Sequence, residues 1–284
     1  MNRIFITGDI HGNPQNRFSS FDFPVGKELT KEDYVIILGD FGIIWDYVGE
    51  SKSEAYWLDW LEKKPWTTLF IDGNHENFDR LETYPVKEWH GGKVHCIRPS
   101  VIHLMRGEIF DVAGKKILAM GGAASHDIKD GILEPTDPDF KEKYSRMIKN
   151  PFCLFRVNKV SWWAQEVPST EERLNALDNL KKVNNTVDIV LSHEGPVDYT
   201  RAIGFTGTPH EYSEFLTDLR NCINFDKWFF GHYHVNRSVG SEAKCLYEDI
   251  LEIYSDADNE RFREANDCWM IAKRDEISEK YEKI

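Results

Sequence analysis

The stretch Ile4-Phe5-Ile6-Thr7-Gly8-Asp9-Ile10-His11-Gly12-Asn13 decides how the rest of the chain is read. An apolar run that reads as a buried strand stops at Gly8, and a carboxylate and an imidazole follow, one residue apart. The same punctuation recurs down the chain. Tyr34 to Leu38 runs into Gly39-Asp40, and Thr68 to Ile71 runs into Gly73-Asn74-His75-Glu76. Val187 to Leu191 runs into Ser192-His193, and Trp228 to Phe230 runs into Gly231-His232-Tyr233-His234. In open α/β sheets, ligands collect outside the carboxyl ends of the strands. Strand ends of this kind bring Asp, Asn and His side chains to one rim, which is the composition of a metal site.

The spacing between these runs sets the fold class. Residues 53–64 place Trp57, Leu58 and Leu61 on one helical face and stop before Pro65. Strand, helix, strand at this distance predicts a right-handed crossover and parallel pairing. From Lys93 the chain breaks into short apolar runs, with a hairpin turn expected at Val112-Ala113-Gly114-Lys115-Lys116, so this part of the sheet is antiparallel or mixed. Ser169-Thr170-Glu171-Glu172 reads as a capping box that starts a helix with Leu174, Leu177, Leu180 and Val183 as its apolar stripe. Residues 235–254 read as a closing antiparallel meander. The expected organisation is one domain over 1–284, with an embedded cap-like insertion at about 121–168 and a charged helical segment at 256–284.

The composition places limits on partners. The chain has 284 residues, of which 41% are hydrophobic and 29% charged, as in ordinary globular proteins. A formal charge of −13 argues against stable nucleic-acid or anionic-membrane binding, which needs a basic face. Cys96, Cys153, Cys222, Cys245 and Cys268 are scattered and lack C-x-x-C spacing, so they read as reduced thiols in a cytoplasmic protein. The chain starts directly with a strand, without a signal peptide, and no apolar run approaches membrane-spanning length.

Asp, Asn and His without Cys suit Mn, Fe, Zn or Ni. The seven candidates Asp9, His11, Asp40, Asn74, His193, His232 and His234 exceed what one tetrahedral ion takes. A pair of divalent ions sharing a bridging carboxylate is the economical reading. Two ions roughly 3.5–4 Å apart can clamp the attacking and leaving oxygens of an in-line displacement. That chemistry suits phosphoester hydrolysis. His75, one residue past Asn74, could protonate the leaving alkoxide or hold a phosphate oxygen.

Taken together, Gly8-Asp9-Ile10-His11-Gly12, Gly39-Asp40, Gly73-Asn74-His75-Glu76, Ser192-His193 and Gly231-His232-Tyr233-His234 resemble the calcineurin-like metallophosphoesterase superfamily. The blocks stand in the family's order between residues 8 and 234. The resemblance implies an α/β (α+β) fold, a four-layer β-sandwich of mixed sheets flanked by helices, with a dinuclear site at its rim. It implies that Asp9, His11 and His234 hold one metal, that Asn74, His193 and His232 hold the other, and that Asp40 bridges them. His75 is then the proton donor, and manganese is the favoured metal. In the phosphoprotein-phosphatase branch the second block continues G-D-x-x-D-R-G, whereas Phe41-Gly42-Ile43-Ile44 follows Asp40 here. The acid that orients the histidine and an arginine that grips phosphate are therefore missing at their places. Asp46 and Glu76 are the candidates left to orient His75. The final His-Tyr-His block is typical of the phosphodiesterase and nuclease branches.

His126, in a glycine-rich loop after a strand, is a weaker candidate for the site and for substrate. His90, His95, His103 and His210 read as ordinary surface or core histidines, and Trp162-Trp163 as packing. The expected function is metal-dependent hydrolysis of a phosphomonoester or phosphodiester in a small or nucleotide-like substrate. The alternatives are a serine/threonine phosphoprotein phosphatase and a catalytically silent metal-binding interaction protein.

Overall fold

The strands Ile4–Thr7 (β1), Tyr34–Leu38 (β2) and Thr67–Ile71 (β3) are the first three apolar runs, and each is buried along its whole length. Continuous burial, in place of alternation, is what parallel strands covered on both faces require. They pair in parallel, Ile6 opposite Ile36 and Ile36 opposite Leu69, as the crossover spacing predicts. The computed structural model describes residues 2–253; the charged segment 256–284, expected to be helical, lies outside the described residues. Residues 1–251 form one compact unit that includes the 121–168 segment.

Beyond β3 come Val86–Trp89 (β4), Gly92–Arg98 (β5) and Val101–Leu104 (β6), then Ile109–Val112 (β7) and Lys115–Met120 (β8). The turn between β7 and β8 is the expected hairpin, with Ala113 and Gly114 both at positive φ (52° and 78°). Gly131–Leu133 (β9) and Phe155–Val157 (β10) make a small parallel pair of their own. Ile189–Ser192 (β11), Lys227–Phe230 (β12), Arg237–Val239 (β13), Ala243–Cys245 (β14) and Ile250–Ile253 (β15) complete the described strands. One mixed sheet runs β15-β1-β2-β3-β6-β5-β4 and the other β13-β14-β12-β11-β8-β7.

One face of each sheet packs on helices. Phe5, Val35, Ile37 and Phe70 share a core with Leu58 and Leu61 of the helix Lys52–Glu62. Leu118, Val190, Trp228 and Phe230 share another with Ala176 and Leu180 of Thr170–Lys182 and with Leu216 and Leu219 of Glu211–Cys222. The opposite faces are buried too, through Ile4, Ile6, Ile36, Leu38, Leu69 and Ile71 in one sheet and Ile117, Ala119, Ile189, Leu191 and Phe229 in the other. Helices on one face and burial on the other give the layering of a sandwich flanked by helices.

Two local expectations change. The capping box at Ser169/Glu172 is present, but the helix Thr170–Lys182 that it starts buries Ala176 and Leu180, whereas Leu174 is 54% exposed. Ala176 and Leu180 are four apart and share the buried face, and Leu174, two residues before Ala176, points to the opposite side of the helix. The closing meander is also not a meander. The hairpin β13/β14 is antiparallel, but β14 runs parallel to β12, and the chain from Ile250 joins the other sheet beside β1. Apolar content alone cannot say which sheet a short run will extend.

Candidate metal centre

The carboxyl ends of β1, β2, β3, β11 and β12 meet, and the loops beyond them are tied to one another before any side chain is considered. Ile10 and His11 both donate their backbone N–H to the Asp40 carbonyl, at 3.2 and 2.9 Å. The Asp40 carboxylate accepts the N–H of His75 at 2.8 Å, and that of Asp9 accepts the N–H of His232 at 3.2 Å. Arg17, buried beneath the first loop, donates to the Asp9 carbonyl at 3.1 Å. Each loop is thus held by the next.

Glycines flank the acids and histidines for a steric reason. A Cβ on Gly39 would run into the His193 ring, one on Gly73 into the Asp40 carboxylate, and one on Gly231 into the Asp9 carboxylate. The backbone is bent hard as well. His11, Asp40, His232 and His234 all lie at positive φ, between 44° and 67°. Such conformations cost of the order of 1–3 kcal/mol each for non-glycine residues and persist where the surroundings over-determine them, typically at functional sites.

The side chains fall into two groups. Asp9, His11, Asp40 and His234 offer ligand atoms that all lie within 4.8 Å of one another, and so do Asp40, His193 and His232. Asp40 belongs to both. Within the first group, His234 Nε2 lies 3.2 Å from Asp9 Oδ2 and 3.0 Å from His11 Nε2. Within the second, His193 Nε2 lies 3.2 Å from Asp40 Oδ1. The Nδ1–H of His193 donates to the Leu38 carbonyl at 2.6 Å, which holds the ring with Nε2 toward Asp40.

Among the buried polar side-chain atoms of the described residues that make no hydrogen bond, three belong to this site: Asp9 Oδ2, Asn74 Oδ1 and His193 Nε2. Orphaned acceptors in a buried cluster are costly unless something electropositive meets them. The Asn74 amide is turned the same way, because its Nδ2 donates to Ser125 Oγ at 3.3 Å. Ser125 is itself held at both its N–H and its hydroxyl by the buried Glu166 carboxylate, at 2.8 and 2.7 Å. These acceptors, with the two groups that share Asp40, are a donor set that could hold divalent cations.

The charges agree. Burial alone would raise the Asp40 pKa, yet His193 and the other surrounding imidazoles hold it well below the usual carboxylate range. Burial pushes His193 down, but the carboxylates of Asp40 and Asp9 pull it up to about 10, so the cluster calls for positive charge there. His232 is pushed well below its ordinary value by burial, then by His193 and His126, and is the neutral imidazole that a metal ligand must be.

His75 stands at the edge of this group. Its Nε2 is 3.9 Å from Asp40 Oδ2, and its ring stacks on Trp45 with centroids 6.0 Å apart. Neither acid offered to orient it does so. Glu76 instead accepts the N–H groups of Phe41 and Gly42, at 2.8 and 3.3 Å, and Asp46 caps Val48 N–H at 3.0 Å. The side chain that does reach His75 is Arg156, whose Nη2 lies 3.4 Å from Nε2. Ile43 and Ile44, where the phosphatase branch carries its Asp and Arg, are buried in the helix-facing core.

His126 does come to the rim, with Nε2 2.7 Å from His232 Nε2. Among the remaining histidines, His95 and His103 are a buried pair on Asp72, and His210 caps the helix Glu211–Cys222. Trp163 is fully buried and packs edge-on against Trp45 at 5.5 Å. Ser125, Glu166, Arg156 and Trp45 were not singled out as site residues from the sequence. Three of them lie in the 121–168 segment; Ser125 stands beside His126 in the glycine-rich loop after β8, whereas Arg156 and Glu166 follow no such strand end.

A family model described as calcineurin-like phosphoesterase matches residues 2–236. A lariat debranching enzyme of Schizosaccharomyces pombe is 25% identical over 206 residues, 68% of this chain and 37% of that protein. One from Danio rerio is 25% identical over 263 residues, 82% of this chain and 40% of that protein. The chain therefore spans about two fifths of the length of these curated relatives. Among solved structures, the phosphopantetheinyl hydrolase PptH of Mycobacterium tuberculosis is similar with a TM-score of 0.41 and 13% identity, covering 90% of this chain and 97% of that one. No helix of the described residues is long and apolar enough to cross a membrane.

Proposed function

Because this chain belongs to the calcineurin-like phosphoesterase family, we propose that it hydrolyses a phosphodiester in a small or nucleotide-like substrate, using two divalent metal ions held by its seven rim side chains. The observation that carries the reading is Asp40, a buried carboxylate common to two ligand groups. Asp9, His11 and His234 would hold one ion, Asn74, His193 and His232 the other, and Asp40 both. Ions at such a site activate water and offset charge on the phosphoryl oxygens.

The chain's own residues do the rest. The tethered loops fix the ligands, and the Ser125–Glu166 pair keeps the Asn74 oxygen facing inward. His75, outside the ligand groups but 3.9 Å from Asp40, is placed to give a proton to the leaving oxygen. Diester over monoester is favoured by the lariat debranching relatives and by the His-Tyr-His block. The core placement of Ile43 and Ile44 weighs against a phosphoprotein phosphatase.

The test is hydrolysis of bis(p-nitrophenyl) phosphate and p-nitrophenyl phosphate, with manganese added first and iron, zinc and nickel compared. The expected result is metal-dependent turnover that disappears after EDTA and gel filtration and returns with added metal. Full activity after chelation would overturn the metal mechanism. No turnover of either ester by metal-loaded protein would favour a silent metal-binding protein.

A further inference from the structure

The 121–168 segment contributes a cation to the site. Strand β10 carries Arg156 between Phe155 and Val157, and Asp127 grips the guanidinium on one side, with Nε to Oδ1 at 2.9 Å and Nη2 to Oδ2 at 2.6 Å. The same Nη2 lies 3.4 Å from His75 Nε2. The side chain is 17% exposed, so the guanidinium is held at the rim and not free to sweep through solvent.

Three arginines deeper in the fold have structural partners. Arg17 is directed to Thr7, Tyr247 and the Asp9 carbonyl, Arg80 to Glu54, and Arg106 to Asp72 and Glu172. Arg156 is anchored within its own segment, by the half-exposed Asp127 and by the Ser161 carbonyl at 3.5 Å, and its remaining neighbour is the His75 imidazole. A guanidinium is a permanent cation and donates only. The Arg156 Nη2–H therefore donates toward His75 Nε2, and at the edge of a carboxylate and imidazole cluster it is a donor that an anion with several oxygens can take over. Arginine's planar fork suits phosphate better than lysine's point charge.

We propose that Arg156, delivered by the 121–168 segment and held by Asp127, is the residue that grips a non-bridging phosphate oxygen of the substrate and of the phosphate product. The segment then completes the site in place of an arginine on the loop after Asp40, where Ile43 and Ile44 face the core. The proposal rests on the phosphoester reading above. Arg156 binds the anion, and the water-activating side chains lie elsewhere.

The test is orthophosphate binding to the metal-loaded full chain by calorimetry, alongside hydrolysis of bis(p-nitrophenyl) phosphate. For Arg156→Ala we expect phosphate affinity to fall about tenfold to a hundredfold, the scale of a charge-assisted hydrogen bond. KM should rise with it, while metal content stays at the wild-type level. Arg156→Lys should recover part of the affinity, and Asp127→Asn, which frees the fork without removing it, should lose less than Arg156→Ala. Should Arg156→Ala fold poorly, the lysine and Asp127→Asn variants still rank the effect. Unchanged phosphate affinity in Arg156→Lys and Asp127→Asn, or in a well-folded Arg156→Ala, overturns the proposal. Loss of metal together with phosphate in Arg156→Ala also overturns it, since Arg156 would then be shaping the metal site. Phosphate binding that depends on Arg156 in a protein that hydrolyses no ester would keep the anion site and overturn the hydrolase reading instead.

Discussion

Asn74 donates its amide nitrogen to Ser125 Oγ across 51 residues of sequence, which leaves Oδ1 as the buried end without a hydrogen-bond partner. An asparagine amide is otherwise free to flip, and only its oxygen can bind a cation. Ser125→Ala should leave the fold intact and lower the affinity of the second ion by about 10–100-fold, as is typical when a residue orienting a ligand is removed. Metal titration of the stripped protein checks this. Wild-type affinity in that variant would mean that the amide is fixed by the loop alone.

Asp40→Asn should be the costliest change among the seven rim side chains. Asp40 belongs to both ligand groups, whereas each of the other charged or imidazole ligands belongs to one. Elemental analysis should find both ions depleted in Asp40→Asn and one retained in better measure in His11→Ala. Greater loss of metal in Asp9→Asn or Asn74→Ala would contradict the bridging role.

His75→Ala should keep its metals and discriminate between leaving groups. General acid catalysis is worth about 10²–10⁴-fold where the leaving oxygen needs a proton. Alkyl phosphodiesters need it, and p-nitrophenyl esters hardly do. A large loss on the first and a small one on the second is expected from steady-state rates. Equal losses would place His75 among the phosphate-binding groups.

Outside the ligand groups, His95 makes the fold sensitive to acid. It is buried against His103, with Nδ1 to Nδ1 at 3.0 Å, and His103 in turn meets Asp72 at 3.0 Å. Burial, reinforced by His103, lowers the His95 pKa from 6.5 to about 4. The folded state therefore resists a proton that the unfolded chain accepts, so this contribution to stability is whole above pH 6.5 and is lost as pH falls toward 4. Urea midpoints measured between pH 7 and 4 should drop less steeply in His95→Gln than in the wild type. Parallel curves would show that another group carries the acid sensitivity.

What was legible in the sequence had a local cause. Strands β1, β2, β3, β11 and β12 announce themselves because parallel strands buried on both faces need unbroken apolar runs. Asp9, His11, Asp40, Asn74, His193, His232 and His234 follow them directly, so their convergence needed only the rule that ligands gather at strand ends. Arg156 and Ser125 reach the site through contacts 81 and 51 residues away in sequence; the glycine-rich loop that pointed to His126 also carries Ser125, but nothing beside Arg156 marks its destination. The path of the chain from Ile250 was hidden for a similar reason, since a four-residue apolar strand fits the edge of either sheet.

Gly39, Gly73 and Gly231 leave no space for a methyl group beside His193, Asp40 and Asp9. An alanine scan through these loops would therefore draw the metal centre twice. The first outline would come from the side chains that supply lone pairs. The second would come from three residues that supply only emptiness, and the two contours would lie one inside the other like a casting and its mould.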